Sequence, residues 1–283
     1  MHDISSLIRR NGYVLLLLPA VALVVTLFVI PLGGIVHTSF ADSAGWTTSH
    51  FRKVFTTPIY LRIIWNTIEV ALLVTFFCAI IGYAAAYVIN ELSGTRKNVA
   101  MLLVILPFWT SILIRTFSWS VLLGQEGLIN TLLVQIGIID QPMRMLYNRT
   151  AVTIAMVQIL SPIVILTCVA NMSKIDDTLI RAARLFGASP WNAFRTVFFP
   201  LSLSGLINGS ILVFILCMGF FITPALLGGP RDLLIANMIE QQIDQMLNWG
   251  LGAALAVIVL LITLAAVIIL QLSTRNKYLD EQR

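Results

Sequence analysis

The sequence predicts an all-α polytopic membrane protein with six transmembrane helices, and three observations support that prediction. Apolar residues make up 58% of the 283-residue chain and charged residues only 11%, whereas soluble domains are about a quarter charged. Six apolar runs each approach the roughly 20 residues that cross a hydrocarbon core of about 30 Å. No strand-like alternation of the kind that builds a membrane barrel recurs. Because backbone groups in lipid must bond within their own segment, each run is expected to be a helix.

The predicted spans follow one another along a single membrane domain that covers residues 1–283. They lie at about 13–36, 64–88, 99–123, 152–172, 201–225 and 250–272. The first apolar run is too long for a cleaved signal segment, so it is expected to remain as a helix. The third span is the least regular, because Arg115 falls inside it. A polar loop at about 173–200 separates the fourth span from the fifth.

The placement of lysine and arginine predicts the orientation of the chain. With both termini in the cytoplasm, the inner segments hold eleven of the 18 basic residues, the longer outer segments hold six, and Arg115 lies near the border. The surplus positive charge is therefore a topology signal. Binding of nucleic acid would need a basic face on a soluble module, so no nucleic acid partner is predicted.

A search for catalytic and metal-binding patterns finds few candidates. Cys78, Cys168 and Cys217 stand alone in different spans, and the three histidines are scattered, so no metal site is predicted. No phosphate-binding G-x-x-x-x-G-K-[ST] motif occurs, so the chain is expected to bind no nucleotide cofactor, and any ATP would be bound by a separate subunit. Acidic residues are sparse, which leaves a self-contained membrane enzyme or channel-like protein as a remote alternative.

The stretch "IRAARLFGASPWNAFRTVFFP", from Ile180 to Pro200, predicts two short helices with a tight turn between them. Asp176 and Asp177 precede the first helix and can accept hydrogen bonds from its free N–H groups. Gly187 is placed where a left-handed residue ends a helix. Ser189 then caps the second helix, with Pro190 at its first position.

The faces of these two helices differ in chemistry. Asp177 and Arg181 are spaced so that opposite charges meet. Trp191, Phe194 and Phe198 form an apolar stripe on the second helix, which Pro200 is expected to end just before the fifth span. An aromatic stripe suits a groove in a partner protein, but an amphipathic segment can also rest on the bilayer. The residue pattern alone leaves both interpretations open.

The stretch resembles the cytoplasmic loop of the inner-membrane permease subunits of ATP-binding cassette (ABC) importers. The motif of that family is E-A-A, three residues, G, nine residues, then I-x-L-P. Ala182, Ala183, Gly187 and Pro200 match at the family spacing, with apolar replacements between them. Arg181 stands where the family has glutamate, so any salt bridge of that glutamate must be absent or rewired.

This resemblance implies the type I ABC importer permease fold and an ATP-driven function. It implies four kinds of partner: two ATPase subunits that bind ATP and Mg²⁺, a second permease subunit expected to be a distinct paralogue, a periplasmic solute-binding protein, and the lipid bilayer of the bacterial inner membrane. The loop would form the coupling helices that dock on the ATPase. The residues expected to couple are Arg181, Ala182, Ala183, Gly187, Ser189, Pro190, Trp191 and Pro200.

Longer phrases narrow the resemblance to one subgroup. The stretches "LPFWTSILIRTFSW" (Leu106–Trp119), "GLINTLL", "GIIDQP" and "FITPALLGGPRDLLIANMI" (Phe221–Ile239) look like the spermidine/putrescine permeases. The resemblance implies a small organic cation, a polyamine, as the solute. The alternative is another small solute, which would be opine-like, phosphonate or amino-acid-like.

Candidate residues for the solute path follow from the cost of placing charge in a span. Glu69 lies about five residues, or roughly 8 Å, into the second span, where it can also reach the outer interface. The arginine inside the third span is equally an interfacial anchor or a gate. The tryptophans suit a membrane-interface belt or an aromatic wall for a cation. The complete candidate set is Glu69, Trp109, Arg115, Trp119, and Glu240 with Asp244, which share one face if their loop is helical.

Overall fold

A computed structural model describes residues 19–42 and 45–280 of the chain, with side chains described as far as residue 271. The predicted start of the first span, residues 13–18, lies outside the described residues. The described chain is helical except for turns, loops and one small hairpin, in which strand β1 (Ala41–Asp42) pairs antiparallel with β2 (Gly45–Trp46).

The helices are named here in chain order. They are α1 (Pro19–Ser39), α2 (Ser49–Thr56), α3 (Pro58–Glu91), α4 (Gly94–Ile105), α5 (Ile112–Leu122), α6 (Leu128–Gln135), α7 (Arg149–Met172), α8 (Asp177–Leu185), α9 (Pro190–Met218), α10 (Ile222–Leu227), α11 (Ile235–Glu240) and α12 (Trp249–Asp280).

Five of these helices are long and apolar enough to cross a membrane: α1, α3, α7, α9 and the Trp249–Gln271 part of α12. The count within the described residues becomes six if the bent pair α4 and α5 forms one span. The predicted all-helical membrane fold is therefore confirmed. The helices begin earlier than the predicted spans, at Pro58 rather than residue 64 and at Arg149 rather than residue 152, because polar first turns extend the apolar runs.

The third predicted span is not one straight helix. Helices α4 and α5 meet at a bend of 96°, and the turn between them is a 3₁₀ segment, Leu106–Trp109. Pro107 lies in this turn and cannot donate to an α-helical ladder. Thr110 is extended, with φ −96° and ψ 139°, and the Ser111 side chain caps the new helix by accepting from Leu113 N–H at 3.3 Å. The sequence prediction of a continuous helix over residues 99–123 was wrong because it gave no weight to Pro107.

Pro200 does not end a helix, and this corrects a second prediction. Helix α9 continues through Pro200 from Pro190 to Met218. Immediately before Pro200 the helix widens into a π-turn, Phe194–Phe198, in which Phe199 N–H donates to Phe194 C=O. This shift of the hydrogen-bond ladder makes room for the proline ring and removes the need for its missing N–H. The second helix of the cytoplasmic loop and the fifth span are one element, about 43 Å long at 1.5 Å per residue.

The contacts divide the chain into two compact units. One contains Met1–Pro58 and Ile239–Leu260, and the other contains Ile59–Met238 and Leu261–Arg283. In the first unit Phe40 packs on Phe51 with ring centroids 4.8 Å apart, and the His50 Nε2 lies 3.2 Å from the Ala41 carbonyl oxygen. The candidate functional residues of the cytoplasmic loop all lie in the second unit.

Helices α7 and α9 form the closest helix pair of the second unit. A Cβ built on Gly205 would lie 2.6 Å from Asn171 Cβ and 2.9 Å from the Thr167 carbonyl oxygen. A Cβ on Gly209, one turn further on, would lie 3.0 Å from Val164 Cα. Glycines four residues apart allow two helix backbones to approach closely. The pair therefore connects the element that begins in the cytoplasmic loop directly to the fourth span.

Candidate functional site

The cytoplasmic loop begins with a capped helix, as predicted. The Asp176 side chain accepts a hydrogen bond from Thr178 N–H at 2.9 Å, which satisfies a free donor at the start of α8. This backbone hydrogen bond lowers the pKa of Asp176. Arg181 Nη2 lies 4.0 Å from Asp177 Oδ2, and both side chains are largely exposed. The predicted pairing is confirmed, but an exposed pair of this kind adds little stability.

The turn after α8 is a Schellman motif centred on Gly187. Ala188 N–H donates to Ala183 C=O at 3.1 Å, and Gly187 N–H donates to Arg184 C=O at 3.0 Å. This double closure requires a left-handed residue after the cap, and Gly187 has φ +88°. No other atom lies within 4 Å of a Cβ built on this glycine. The glycine is therefore required by its backbone conformation and not by lack of space.

Helix α9 starts at Pro190, three residues after Gly187. The Ser189 hydroxyl accepts from Asn192 N–H at 3.2 Å, and Pro190 occupies the first turn. The sequence prediction of a serine cap followed by proline is confirmed. Two short-range caps and one glycine turn thus hold α8 and the start of α9 in a defined geometry.

Aromatic side chains anchor the start of α9 to the inner end of α3. Tyr87 contacts Phe194 and Phe198 edge to face, each with ring centroids 5.5 Å apart. One turn earlier on α3, Tyr83 packs on Phe199 at 5.6 Å, and its hydroxyl lies 2.7 Å from Ser202 Oγ. These contacts tie any displacement of the cytoplasmic loop to the second span as well as the fifth.

The anchoring changes the interpretation of the aromatic stripe. The sequence predicted Trp191, Phe194 and Phe198 as an apolar stripe for a partner groove or the bilayer, but Phe198 is buried and Phe194 is half-buried between its neighbours. The apolar surface that remains exposed is the tip of the turn, where Leu185 is 87% and Phe186 92% exposed, together with Trp191 at 66%. We call these three residues the apolar tip.

Glu69, the first candidate of the solute path, is held in an ion-pair cluster. Its Oε1 lies 2.5 Å from Nη1 of Arg149, whose Nε lies 3.7 Å from Asp232 Oδ1. Arg149 also donates from Nη2 to Asn66 Oδ1 at 2.9 Å. Asn66 in turn donates to the Arg231 carbonyl oxygen at 2.9 Å. The cluster joins α3, the first residue of α7 and the loop after α10.

The outer-end cluster, defined as Glu69, Arg149, Asp232 and Asn66, carries two carboxylates and one guanidinium. Side-chain exposures are 40% for Glu69, 30% for Arg149 and 19% for Asp232. Glu69 therefore has an internal partner but keeps part of its carboxylate accessible. Its pairing with the start of α7 places it level with the predicted outer end of that span.

Trp119, another candidate of the solute path, contacts α7. Its indole Nε1–H donates to Gln158 Oε1 of α7 at 3.3 Å. Both side chains line a groove of about 650 Å³ between α3, α5 and α7. Leu73 and Phe77, one and two turns after Glu69, line the same groove. We call it the intramembrane groove.

The remaining candidates lie elsewhere. Trp109 is exposed at the end of the 3₁₀ turn. Nε and Nη1 of Arg115 are buried and have no hydrogen-bond partner among the described residues. Unpaired charged donors are costly inside a span, and the proposed role of Arg115 in the solute path stays a prediction. Its positive charge disfavours a cationic solute at that point.

Glu240 and Asp244 belong to the other compact unit. Their segment is helical, since α11 ends at Glu240 and a π-turn, Gln241–Gln245, continues it. Asp244 is exposed and Glu240 is half-buried. The sequence analysis set a helical loop as the condition for a shared face, and that condition is met, whereas the role of the two residues in the solute path remains a prediction.

Several residues that build these sites were missed by sequence reasoning. Arg149 was counted only as an outer basic residue, and Asp232 and Gln158 were not considered. Their partners are 39 or more positions away in sequence, so no local pattern marks them. The Gly205-x-x-x-Gly209 spacing, in contrast, is a readable signal of close helix packing. In the part of the chain that the structure describes, no three His, Cys, Asp or Glu side chains converge as metal ligands.

Comparisons with known proteins agree with this architecture. Residues 78–277 match the family described as binding-protein-dependent transport system inner membrane component. The chain is 34% identical over 236 residues to the spermidine/putrescine transport system permease protein PotB of Haemophilus influenzae, covering 83% of this chain and 82% of that protein. It is also 34% identical over 200 residues to PotB of Escherichia coli, with coverage of 71% and 73%.

A solved structure extends the likeness to the whole fold. The chain superposes with a TM-score of 0.82 on a chain from the crystal structure of a bacterial alginate ABC transporter in complex with an alginate pentasaccharide-bound periplasmic protein. The alignment covers 95% of this chain and 96% of that one, at 20% identity. At this identity the likeness concerns the fold alone.

Proposed function

The chain belongs to the inner-membrane components of binding-protein-dependent transport systems, the permease subunits of ABC importers, and on that premise we propose that it moves a polyamine, spermidine or putrescine, into the cytoplasm. A permease of this family works with separate ATPase subunits and a binding protein. The polyamine assignment is supported by 34% identity to PotB over most of both chains.

We propose that the loop from residue 173 to 200 transmits the ATPase cycle to the membrane. The observation that supports this proposal is the continuity of α9, which begins in the loop and ends at the far end of the fifth span. A helix that is capped at Ser189 and packed against α7 through Gly205 moves as a rigid body. Closure of two ATPase subunits would therefore tilt the spans of this chain and of a second permease, alternately opening the two sides.

The apolar tip is the part of the loop that suits an ATPase surface. Leu185, Phe186 and Trp191 are large, exposed and held at one turn by the glycine closure. Aromatic anchors that fill a partner pocket supply much of the binding energy of protein interfaces. A loop that merely rested on the bilayer would not need this turn to be rigid.

Arg184 gives a direct test of the side of the membrane that this loop faces. In a background with Cys78, Cys168 and Cys217 replaced by alanine, Arg184→Cys is expected to react with an impermeant maleimide only after the cells are permeabilised. Arg184 is exposed, and the three native cysteines are buried. The matched control is Glu126→Cys, also exposed and predicted to be outside, which should react in intact cells. Labelling of Arg184→Cys in intact cells would overturn the orientation and the coupling role together.

The solute assignment is tested with the complete transporter in proteoliposomes. The chain, its second permease, the ATPase and the binding protein are reconstituted, and ATP hydrolysis and uptake are measured with spermidine, putrescine and an amino acid of similar length. We expect only the polyamines to stimulate hydrolysis and to accumulate. Accumulation of the amino acid with no response to either polyamine would reject the polyamine assignment while leaving the importer function intact.

A further inference from the structure

The α7 wall of the intramembrane groove carries polar side chains that the sequence pattern did not reveal. They are Thr153, Gln158 and Ser161. Thr153 and Gln158 are five residues apart, or about 7.5 Å along the axis, and Gln158 and Ser161 are three residues apart, or about 4.5 Å. With about 100° of rotation per residue, Thr153 and Gln158 lie roughly 140° apart around α7 and Ser161 lies between them, so the three polar groups are spread across the α7 wall of the groove.

The hydrogen bonds within α7 leave these three side chains with acceptor capacity. The Thr153 hydroxyl donates its proton to the Arg149 carbonyl oxygen at 2.9 Å, and the Ser161 hydroxyl points to the Gln158 carbonyl oxygen at 3.5 Å. A hydroxyl whose proton is used in this way can still accept through its lone pairs. Trp119 orients Gln158 by donating to Oε1, and that oxygen retains a second acceptor site.

The opposite wall of the groove is apolar and aromatic. Leu73, Phe77 and Ile81 follow one another along α3 at four-residue spacing, and Trp119 closes the side. Aromatic faces attract ammonium groups, and alkyl surfaces pack against methylene chains. Glu69 lies one turn before Leu73, so the outer-end cluster, with two carboxylates to one guanidinium, adjoins the outer end of the groove.

From this arrangement we infer that the intramembrane groove binds an extended alkyl polyamine, with its ammonium groups on Thr153, Gln158 and Ser161 and its methylenes against Phe77 and Trp119. The inference rests on the proposed function and names the site within the chain at which the solute is held. Neutral oxygen acceptors hold an ammonium weakly enough for release, and a passage requires that release. The carboxylates at the outer end would attract the cation without trapping it deep in the membrane.

The test compares variants at Gln158 in the reconstituted transporter, with spermidine-loaded and putrescine-loaded binding protein as probes. Gln158→Leu keeps a similar size and removes the acceptor, and we expect the number of polyamine molecules imported per ATP to fall about tenfold. Gln158→Asn keeps a neutral amide oxygen and should retain more import per ATP than Gln158→Leu, whereas Gln158→Glu adds a charge that would trap the cation and should import less than the unchanged chain. The matched control is Gln135→Leu, at the exposed end of α6, which should have no effect.

Aromatic variants test the wall, because Trp119→Phe and Trp119→Leu both lose the hydrogen bond to Gln158 and differ only in the ring face. Trp119→Phe retains a ring face and should keep most of the import per ATP, whereas Trp119→Leu should lose most of it. Stimulation of ATP hydrolysis by loaded binding protein reports that each variant is assembled. If Gln158→Leu loses that stimulation, it is not assembled correctly, and the Ser161→Ala variant is used in its place. We expect its polyamine import per ATP to fall about threefold.

The outcomes separate the groove from the proposed function. Suppose that the unchanged complex imports polyamine and that Gln158→Leu and Trp119→Leu import as much per ATP as it does. This result would refute polyamine binding in the groove but would leave the proposed function intact. Failure of the unchanged complex to import either polyamine would reject the proposed function itself. Where Ser161→Ala replaces Gln158→Leu in the test, unchanged import per ATP in Ser161→Ala would refute polyamine binding in the groove.

Discussion

Gly187→Val is expected to abolish transport while the membrane spans still insert. Gly187 has φ +88°, a conformation that costs a residue with a side chain about 1–3 kcal/mol and is least accessible to β-branched residues. The space around its Cβ is open, so the loss would come from the backbone alone. The Schellman closure would open, the apolar tip would no longer hold its position, and uptake should fall about tenfold or more.

Two further variants separate coupling from general strain. Gly187→Asn should restore much of the uptake, because asparagine enters the left-handed region more readily than other non-glycine residues. Gly137 has φ +72° and open space around it, and it follows α6 in a predicted outer loop. Gly137→Val therefore has the same kind of backbone strain away from the loop and should retain uptake. Normal uptake by a well-expressed Gly187→Val variant would refute the rigid-loop mechanism.

Gly205→Leu is the second change with a large expected effect. A Cβ at this position would already lie 2.9 Å from the Thr167 carbonyl oxygen and 3.2 Å from Cys168 Cα. Backbone atoms cannot move aside as a flexible side chain would, so α7 and α9 must separate. Overpacking of this kind costs about 1–3 kcal/mol and sometimes more. The thermal midpoint of the purified complex should drop, and uptake should be lost with it.

Asn208→Leu is the matched control for the α7–α9 contact. Asn208 lies on the exposed side of the same helix, so leucine there adds the same side chain without entering the contact. Its thermal midpoint should stay near that of the unchanged complex. If both variants melt at the same temperature as the unchanged chain, the close approach of α7 and α9 does not stabilise the protein.

The cytoplasmic loop shows which kind of prediction succeeds from sequence. The Asp176 cap, the Gly187 turn and the Ser189 cap each depend on hydrogen bonds that reach no more than five residues along the chain. Such interactions are encoded by the residues themselves and their spacing, so they could be predicted in detail. The prediction that Pro200 ends a helix was wrong. A π-turn of the preceding residues relieves the steric clash and the missing hydrogen bond by which a proline normally ends a helix.

The bent third span is an intermediate case. Pro107 marks the place of the break, and the residue type alone indicates that the helical ladder is interrupted there. The size of the bend, 96°, depends on how α5 packs, including the contact of the buried Thr116 hydroxyl with Thr223 of α10 at 2.9 Å. That contact joins residues more than a hundred positions apart, so no local pattern predicts it.

The sequence by itself determined the membrane class, the helical spans and the capped two-helix loop, because hydropathy, caps and turns act over one or two helical turns. Only the tertiary structure decided that Glu69 meets Arg149 and Asp232, that Trp119 orients Gln158, and that Tyr87 anchors the loop. These pairs lie on different helices, and their approach depends on how apolar faces and small residues pack. Composition and periodicity show which surfaces a helix must bury, but the identity of the facing residue follows only from the packed arrangement of all the helices.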